Sequence, residues 1–221
     1  MLAVVVDTGL GNITSVHKAV ETAAAALSTG IEVVRSADPD LVRRADRIVV
    51  PGQGGFRDCA RAMSNGLGDA VLEQIRAGTP YLGICLGLQI LFDESDEAPG
   101  ERGFGVLKGR VERLRGGPDV KIPHIGWNQL ELVDGGHAHL AAAGGAGTWF
   151  YFVHSYHAVA ADPGTVVATS GYGENRICSA VAHDNVFATQ FHPEKSQRAG
   201  LALLRSFLGH SSSTGTGAAT G

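Results

Sequence analysis

Apolar residues in the first half of the chain gather in short runs instead of alternating with polar ones. Residues 2–6 (LAVVV), 31–34 (IEVV), 46–50 (DRIVV) and 79–83 (TPYLG) are of this kind, and such runs belong to strands covered on both faces, as in a parallel sheet. Between the first two, Val16, Val20 and the alanine-rich stretch 23–27 supply the buried side of a helix. Asn12 or Thr14 can cap it, and Ser28, Thr29 and Gly30 stop it. From Gly103 onward the helical period nearly vanishes. The segments GFGVLKGRVERL, WNQLELV, WFYFVHSYHAVAA, TVVATSGYG and ICSAVAHDNVFATQFH read as strands separated by turns. A helical face returns only over residues 197–208, through Leu201, Leu204, Phe207 and Leu208. These periods predict an α/β fold, an open and mostly parallel doubly wound sheet with antiparallel strands added in the second half. Residues 1–210 are expected to form one domain. The low-complexity tail 211–221 (SSSTGTGAATG) carries nothing that offsets the entropy of ordering it, so disorder is expected there.

Composition narrows the class. A chain of 221 residues, 44% hydrophobic and 18% charged, is long enough for one large core. Its formal net charge of −4 lacks the basic footprint of a partner for nucleic acid or anionic membrane. No apolar run approaches the ~20 residues that cross a bilayer. The three cysteines, Cys59, Cys85 and Cys178, are an odd number without framework spacing, and Met1 leads straight into an apolar strand. Both features fit a reduced, cytoplasmic protein. His137, His139, His154 and His157 come without the spacing or carboxylates of a metal site, so neither metal nor cofactor is expected.

Candidate chemistry centres on residues 79–92 (TPYLGICLGLQILF), where an apolar strand runs through Gly83 into Cys85 and then, past Gly87, into a helix. Ligands sit beyond the carboxyl ends of parallel strands, where the amides of the next helix point. Glycines two residues either side of Cys85 permit the sharp turn of a nucleophile elbow, with cysteine in place of serine. The same cysteine also reads as a small buried hydrophobe in a strand-to-helix turn. A second cluster is Gln190, Phe191, His192, Pro193, Glu194. The proline stiffens the relation of His192 to Glu194, as a general base and its orienting carboxylate require. A surface turn with a solvated glutamate is the other reading. The two clusters complement each other. A free thiol titrates near ~8.5, and a helix terminus supplies at most ~2 kcal/mol, about one and a half pKa units, so the elbow alone half-activates the cysteine. A neighbouring histidine can complete the task. The glycine-rich stretch 51–55 (PGQGG) lacks both a dinucleotide fingerprint and a Walker lysine, which weakens a phosphate-cradle reading.

With the Gly-Ile-Cys-Leu-Gly-Leu-Gln block followed by His-Pro-Glu, the chain resembles the class I, triad-type glutamine amidotransferases. The opening Asp-x-Gly-x-Gly-Asn (7–12), Pro-Gly-x-Gly (51–54), Pro-His-Ile-Gly-Trp-Asn (123–128) and Tyr-Phe-Val-His-Ser-Tyr (151–156) narrow the likeness. They are similar to the glutaminase subunits of imidazole glycerol phosphate synthases, and the likeness runs from Val4 to about Leu208. It implies a flavodoxin-like open sheet and a triad of Cys85, His192 and Glu194 that hydrolyses glutamine to glutamate and ammonia. It also implies an oxyanion site from the Leu86 amide and the loop bearing Gln53 and Gly54, and a glutamine pocket lined by Gln89, Ser155 and Tyr156. The implied partner is a barrel-type synthase (cyclase) subunit that receives the ammonia, with Lys195 and Trp127 as candidate contacts. Thr8, where tyrosine is usual, and Gln53, where valine is common, depart from the pattern. A stand-alone cysteine hydrolase of the same fold and a non-catalytic subunit are the other function classes.

Overall fold

The computed structural model describes residues 1–210 apart from Asp119, so the expectation for the tail 211–221 lies outside the described residues. The first half supplies strands β1 (Leu2–Val6), β2 (Glu32–Ser36), β3 (Arg47–Val50) and β4 (Tyr81–Ile84). Helices α1 (Ile13–Ala25), α2 (Pro39–Val42), α3 (Phe56–Ala62) and α4 (Leu67–Arg76) run between them, and α5 (Leu86–Gln89) follows β4. The second half holds β5 (Glu94–Ser95), β6 (Gly109–Arg113), β7 (His124–Gln129), β8 (Glu131–Leu132), β9 (Trp149–His154) and β10 (Tyr156–Ala160). It continues through β11 (Val166–Tyr172), β12 (Asn175–His183) and β13 (Val186–Thr189), with helices α6 (Ala138–Ala142) and α7 (Gln197–Gly209).

Eight strands form the main sheet in the order β2-β1-β3-β4-β13-β12-β11-β8. The ladders from β2 through β13 are parallel and those beyond β13 antiparallel, in keeping with the strand periods read from the sequence. Alternate strand residues face opposite layers of core. Val4, Val6, Ile48 and Val50 pack on one side, and Ala3, Val5, Val49, Leu82 and Ile84 on the other. Coverage of both faces is why these runs are apolar throughout. In α1, Ile13, Val16, Val20 and Ala23 make the buried stripe, and the Asn12 side chain caps the start by accepting from the Ser15 amide.

Four helices lie where the hydrophobic pattern predicts none. Between β2 and β3, and again between β3 and β4, the chain inserts the short helices α2, α3 and α4. Residues 138–142, in the Gly/Ala stretch, form α6, whose His139 is buried among Phe187, Phe207 and the Ser206 hydroxyl. The helix after Cys85 is only one turn long. The amides of Phe104, Gly105 and Leu107 take the carbonyls of Ile90, Phe92 and Leu91, so those carbonyls are unavailable to a continuing helix.

The centre of the sheet is packed backbone against backbone. A Cβ on Gly87 would lie 2.0 Å from the Val50 carbonyl oxygen, and one on Gly83 would lie 2.3 Å from the Gly87 oxygen. The Tyr81 hydroxyl donates to that Gly87 oxygen at 2.7 Å and closes the turn from inside. Gly87→Ala is therefore expected to lower unfolding free energy by at least ~1–3 kcal/mol, the usual cost of overpacking a core. Urea denaturation of both proteins checks this, and an unchanged midpoint would contradict the packing.

Candidate active site

Three neighbouring strands end side by side. β3 runs into Pro51–Gly54, β4 into Cys85 and β13 through Gln190 and Phe191 into His192, with Val50 paired to Gly83 and Ile84 to Thr189. The parallel register thus delivers a glycine-rich loop, a thiol and an imidazole to one edge. Cys85 sits at φ 55°, ψ −104°, a region that L-residues rarely occupy and that costs on the order of 1–3 kcal/mol. Its amide donates to the Thr189 carbonyl at 2.7 Å, which ties the elbow to β13.

His192 is 1% exposed and its Nδ1 lies 2.8 Å from Glu194 Oε1. A carboxylate at that nitrogen fixes the proton on Nδ1 and leaves Nε2 as the acceptor. Nε2 is buried without a hydrogen-bond partner among the described residues, and His192 and Cys85 line the same cavity of about 340 Å³. Burial opposes charge on the ring, but the Cys85 sulfur and the Glu194 carboxylate outweigh it and raise the His192 pKa to about 9. The ring can therefore take the thiol proton and hold it. Burial, joined at Cys59 by the charge of Cys85, raises the Cys59 and Cys178 thiols to about 12, so neither is a nucleophile.

The loop bearing Gln53 and Gly54 borders the cavity beside Leu86. Gly52 is pressed against Leu86: a Cβ there would stand 2.1 Å from the Leu86 Cβ. The Leu86 amide, first in its helical turn, has no intrahelical acceptor. Gln53 turns its side chain toward the β1–α1 turn, where its Oε1 accepts from the Asn12 amide at 3.0 Å. Gln89, Ser155, Tyr156 and Lys195 also line the cavity. Gln89 donates through Nε2 to the Tyr156 carbonyl and to Gln190 Oε1, both at 3.0 Å. Trp127 lies away from the cavity on the exposed face of β7, edge-on to Tyr151, and Lys195 Nζ stands 5.7 Å over the other ring of that contact, Tyr151.

Sequence reasoning assigned no role to several residues here. Glu97 lines the cavity and its Oε2 accepts from the Phe56 amide at the start of α3; nothing in its spacing pointed to the site. Gln190 contacts the Cys85 sulfur at 3.5 Å, and its place two residues before His192 was the available signal. His154 also borders the cavity.

The model of the glutamine amidotransferase class-I family matches residues 4–210. The chain belongs to the class-I glutamine amidotransferases. Imidazole glycerol phosphate synthase subunit HisH of Methylococcus capsulatus is 46% identical over 210 residues, covering 92% of this chain and 94% of its own. The HisH subunit of Pyrococcus furiosus is 41% identical over 203 residues, covering 92% of this chain and 96% of its own. The solved structure of PurLQS from Thermotoga maritima matches with a TM-score of 0.70 at 21% identity, over 94% of this chain and 97% of that one, and so shares its fold.

Behind the wall of this amidotransferase's cavity runs a chain of neutral histidines. His154 Nδ1 is 2.8 Å from the Tyr156 carbonyl, which can only accept, so Nδ1 carries the proton and Nε2 accepts from His124 Nδ1 at 3.1 Å. Asn128 Nδ2 completes the chain, 3.5 Å from His124 Nε2. Burial lowers His124 to about 4 and His154 to about 3. An unfolded histidine titrates near ~6.5, so below that pH the unfolded chain binds protons that the folded rings refuse. The stability held by these rings is present above about pH 6.5 and is lost as pH falls toward 4 and then 3. Urea titrations between pH 7.5 and 5 should show a falling midpoint, with uptake of about two protons on unfolding at pH 5 from this pair. A flat profile would mean that the rings are not held neutral.

Proposed function

We propose that this chain is the glutaminase subunit of an imidazole glycerol phosphate synthase, with Cys85, His192 and Glu194 as its triad. The observation that carries the chemistry is the buried His192–Glu194 pair at 2.8 Å, with His192 lining the same cavity as Cys85. In the reaction, the Cys85 proton passes to His192 Nε2 and the thiolate attacks the side-chain amide carbon of glutamine. The oxyanion is met by the Leu86 amide and by an amide of the Gln53–Gly54 loop. His192 then gives its proton to the leaving nitrogen, ammonia departs, and water hydrolyses the thioester to glutamate. Glu194 keeps the ring in register and neutralises the imidazolium. Glu97 and Lys195 give the cavity one carboxylate and one ammonium, the pair of charges that complements a free amino acid, while Gln89, Ser155 and Tyr156 shape the pocket around it.

The partner reading rests on an apolar face beside the cavity mouth. In the β7–β9 hairpin, Ile125 pairs with Val153, Trp127 with Tyr151 and Gln129 with Trp149. Ile125, Trp127 and Trp149 are 59%, 42% and 52% exposed. The same strands carry Val153 to the cavity, with Pro123 just ahead of β7, so a barrel-type cyclase subunit seated there would cover the exit for ammonia. Trp127 and Lys195 are assigned to that contact. Enclosure matters because ammonia released into water is mostly protonated and no longer nucleophilic. Such a subunit belongs in the cytoplasm, and the unpaired cysteines Cys59, Cys85 and Cys178 suit reducing conditions there.

The test pairs the chain with the cyclase subunit of its own synthase. Glutamate release by the isolated chain should be barely measurable. It should rise at least about tenfold with the partner and its nucleotide ligand, a floor below the hundredfold that one oxyanion donor of ~3 kcal/mol supplies. Cys85→Ala should abolish glutamine-dependent synthesis and leave synthesis from ammonium salt intact. Glutamine hydrolysis retained in Cys85→Ala would overturn the nucleophile, and a rate indifferent to the partner would point to a stand-alone hydrolase.

A further inference from the structure

We infer that Gln190 is a further catalytic residue: its side-chain amide donates a hydrogen bond to Cys85 Sγ and stabilises the thiolate. This deepens the proposed function and rests on Cys85 being the nucleophile. Gln190 is fully buried, and its Nε2 lies 3.5 Å from the sulfur. The orientation of that amide is determined by its neighbours. The Tyr156 backbone carbonyl can only accept, so the Gln89 atom 3.0 Å from it is the amide nitrogen. That same nitrogen is 3.0 Å from Gln190, which must therefore turn its oxygen to Gln89 and its nitrogen to the sulfur. Flipping Gln190 would set two donors against each other at one end and a carbonyl oxygen against a thiolate at the other.

The chemistry needs such a donor. Cys85 is 7% exposed and His192 1%, so the ion pair formed by proton transfer is largely out of water. A buried anion without hydrogen-bond donors is costly, and the helix behind the thiol is a single turn, Leu86–Gln89. An amide nitrogen suits this role because it donates without competing with His192 for the proton. The bond is strongest to the anion, weakens when the sulfur becomes a thioester, and strengthens again as thiolate is expelled during hydrolysis. No atoms are exchanged with Gln190 at either step. The Tyr156 carbonyl that orients Gln89 also accepts from His154, so the hydrogen-bond chain behind the sulfur reaches Asn128 on the β7–β9 hairpin.

The test is the pH dependence of iodoacetamide alkylation at Cys85, located by peptide mass spectrometry, in the wild-type chain and in Gln190→Met, which keeps length and loses the donor. Cys59 and Cys178, both pushed up to about 12 by burial, stay slow. Gln190→Met should move the alkylation profile to higher pH and slow the reaction at pH 7 by about tenfold or more, the loss expected for a hydrogen bond to a charged group. In the partner complex, kcat for glutamine should fall with KM little changed, because Gln190 contacts the sulfur and not the substrate. If Gln190→Met does not fold, Gln89→Met is read instead. It frees the Gln190 oxygen and should shift the profile the same way by a smaller amount. An unchanged profile in whichever variant folds overturns the inference. Loss of hydrolysis in Cys85→Ala beside an unchanged Gln190→Met profile leaves the triad standing and removes Gln190 alone.

Discussion

The strained backbone of Cys85, at φ 55° and ψ −104°, is the constraint from which the rest of the site follows. An L-residue stays there only when its surroundings over-determine it. The Thr189 carbonyl holds its amide, the Tyr81 hydroxyl holds the carbonyl two residues on, and glycines before and after leave the chain no side chain to relax into. All of these restraints come from strands β3, β4 and β13, which are central in the sheet and buried on both faces. The cost of the elbow is thus met by the most cooperative part of the fold. The same three strands carry the loop, the thiol and the imidazole, so the strain and the proposed chemistry have one foundation.

Electrostatics in the cavity divides the histidines into two populations. His192 gains from a thiol on one side and a carboxylate on the other, and its pKa rises to about 9 despite burial. His124 and His154, with no anion beside them among the described residues, are held neutral by burial and by a chain of donors and acceptors that leaves each ring one tautomer. These neutral rings add no positive charge to the one that His192 carries beside the Cys85 sulfur.

Much of this could be read from residue order, and the remainder fails for identifiable reasons. The runs LAVVV and DRIVV announced strands because burial on both faces removes polar positions. Cys85 stood out through its glycines and His192 through the adjoining proline. The order in which β13 inserts beside β4 is not local, so the meeting of residues 85 and 192 became legible only through the family likeness. Helix α5 stops after one turn because the carbonyls that would continue it are claimed by the amides of Phe104, Gly105 and Leu107, a contact without local signature. Glu97 and the hydrogen bond from Gln190 to sulfur depend on tertiary placement in the same way. Gln53, flagged as a departure, proves to be tied to the β1–α1 turn, a partner that its neighbours in sequence do not suggest.

The glycines around the elbow also bear on how such an enzyme can change over generations. Cβ atoms on Gly52, Gly83 and Gly87 would stand 2.1, 2.3 and 2.0 Å from neighbouring atoms, so a replacement at any of these positions has to move β3 or the turn of α5. Replacement is costly at these glycines, whereas Ile125, Trp127 and Trp149 on the exposed face of the β7–β9 hairpin meet solvent, where a single exchange disturbs little packing. On the docking proposed above, a lineage could acquire a new ammonia acceptor by redrawing that face while inheriting the hydrolytic centre unaltered, and a library meant to retarget this subunit would be drawn along the same boundary.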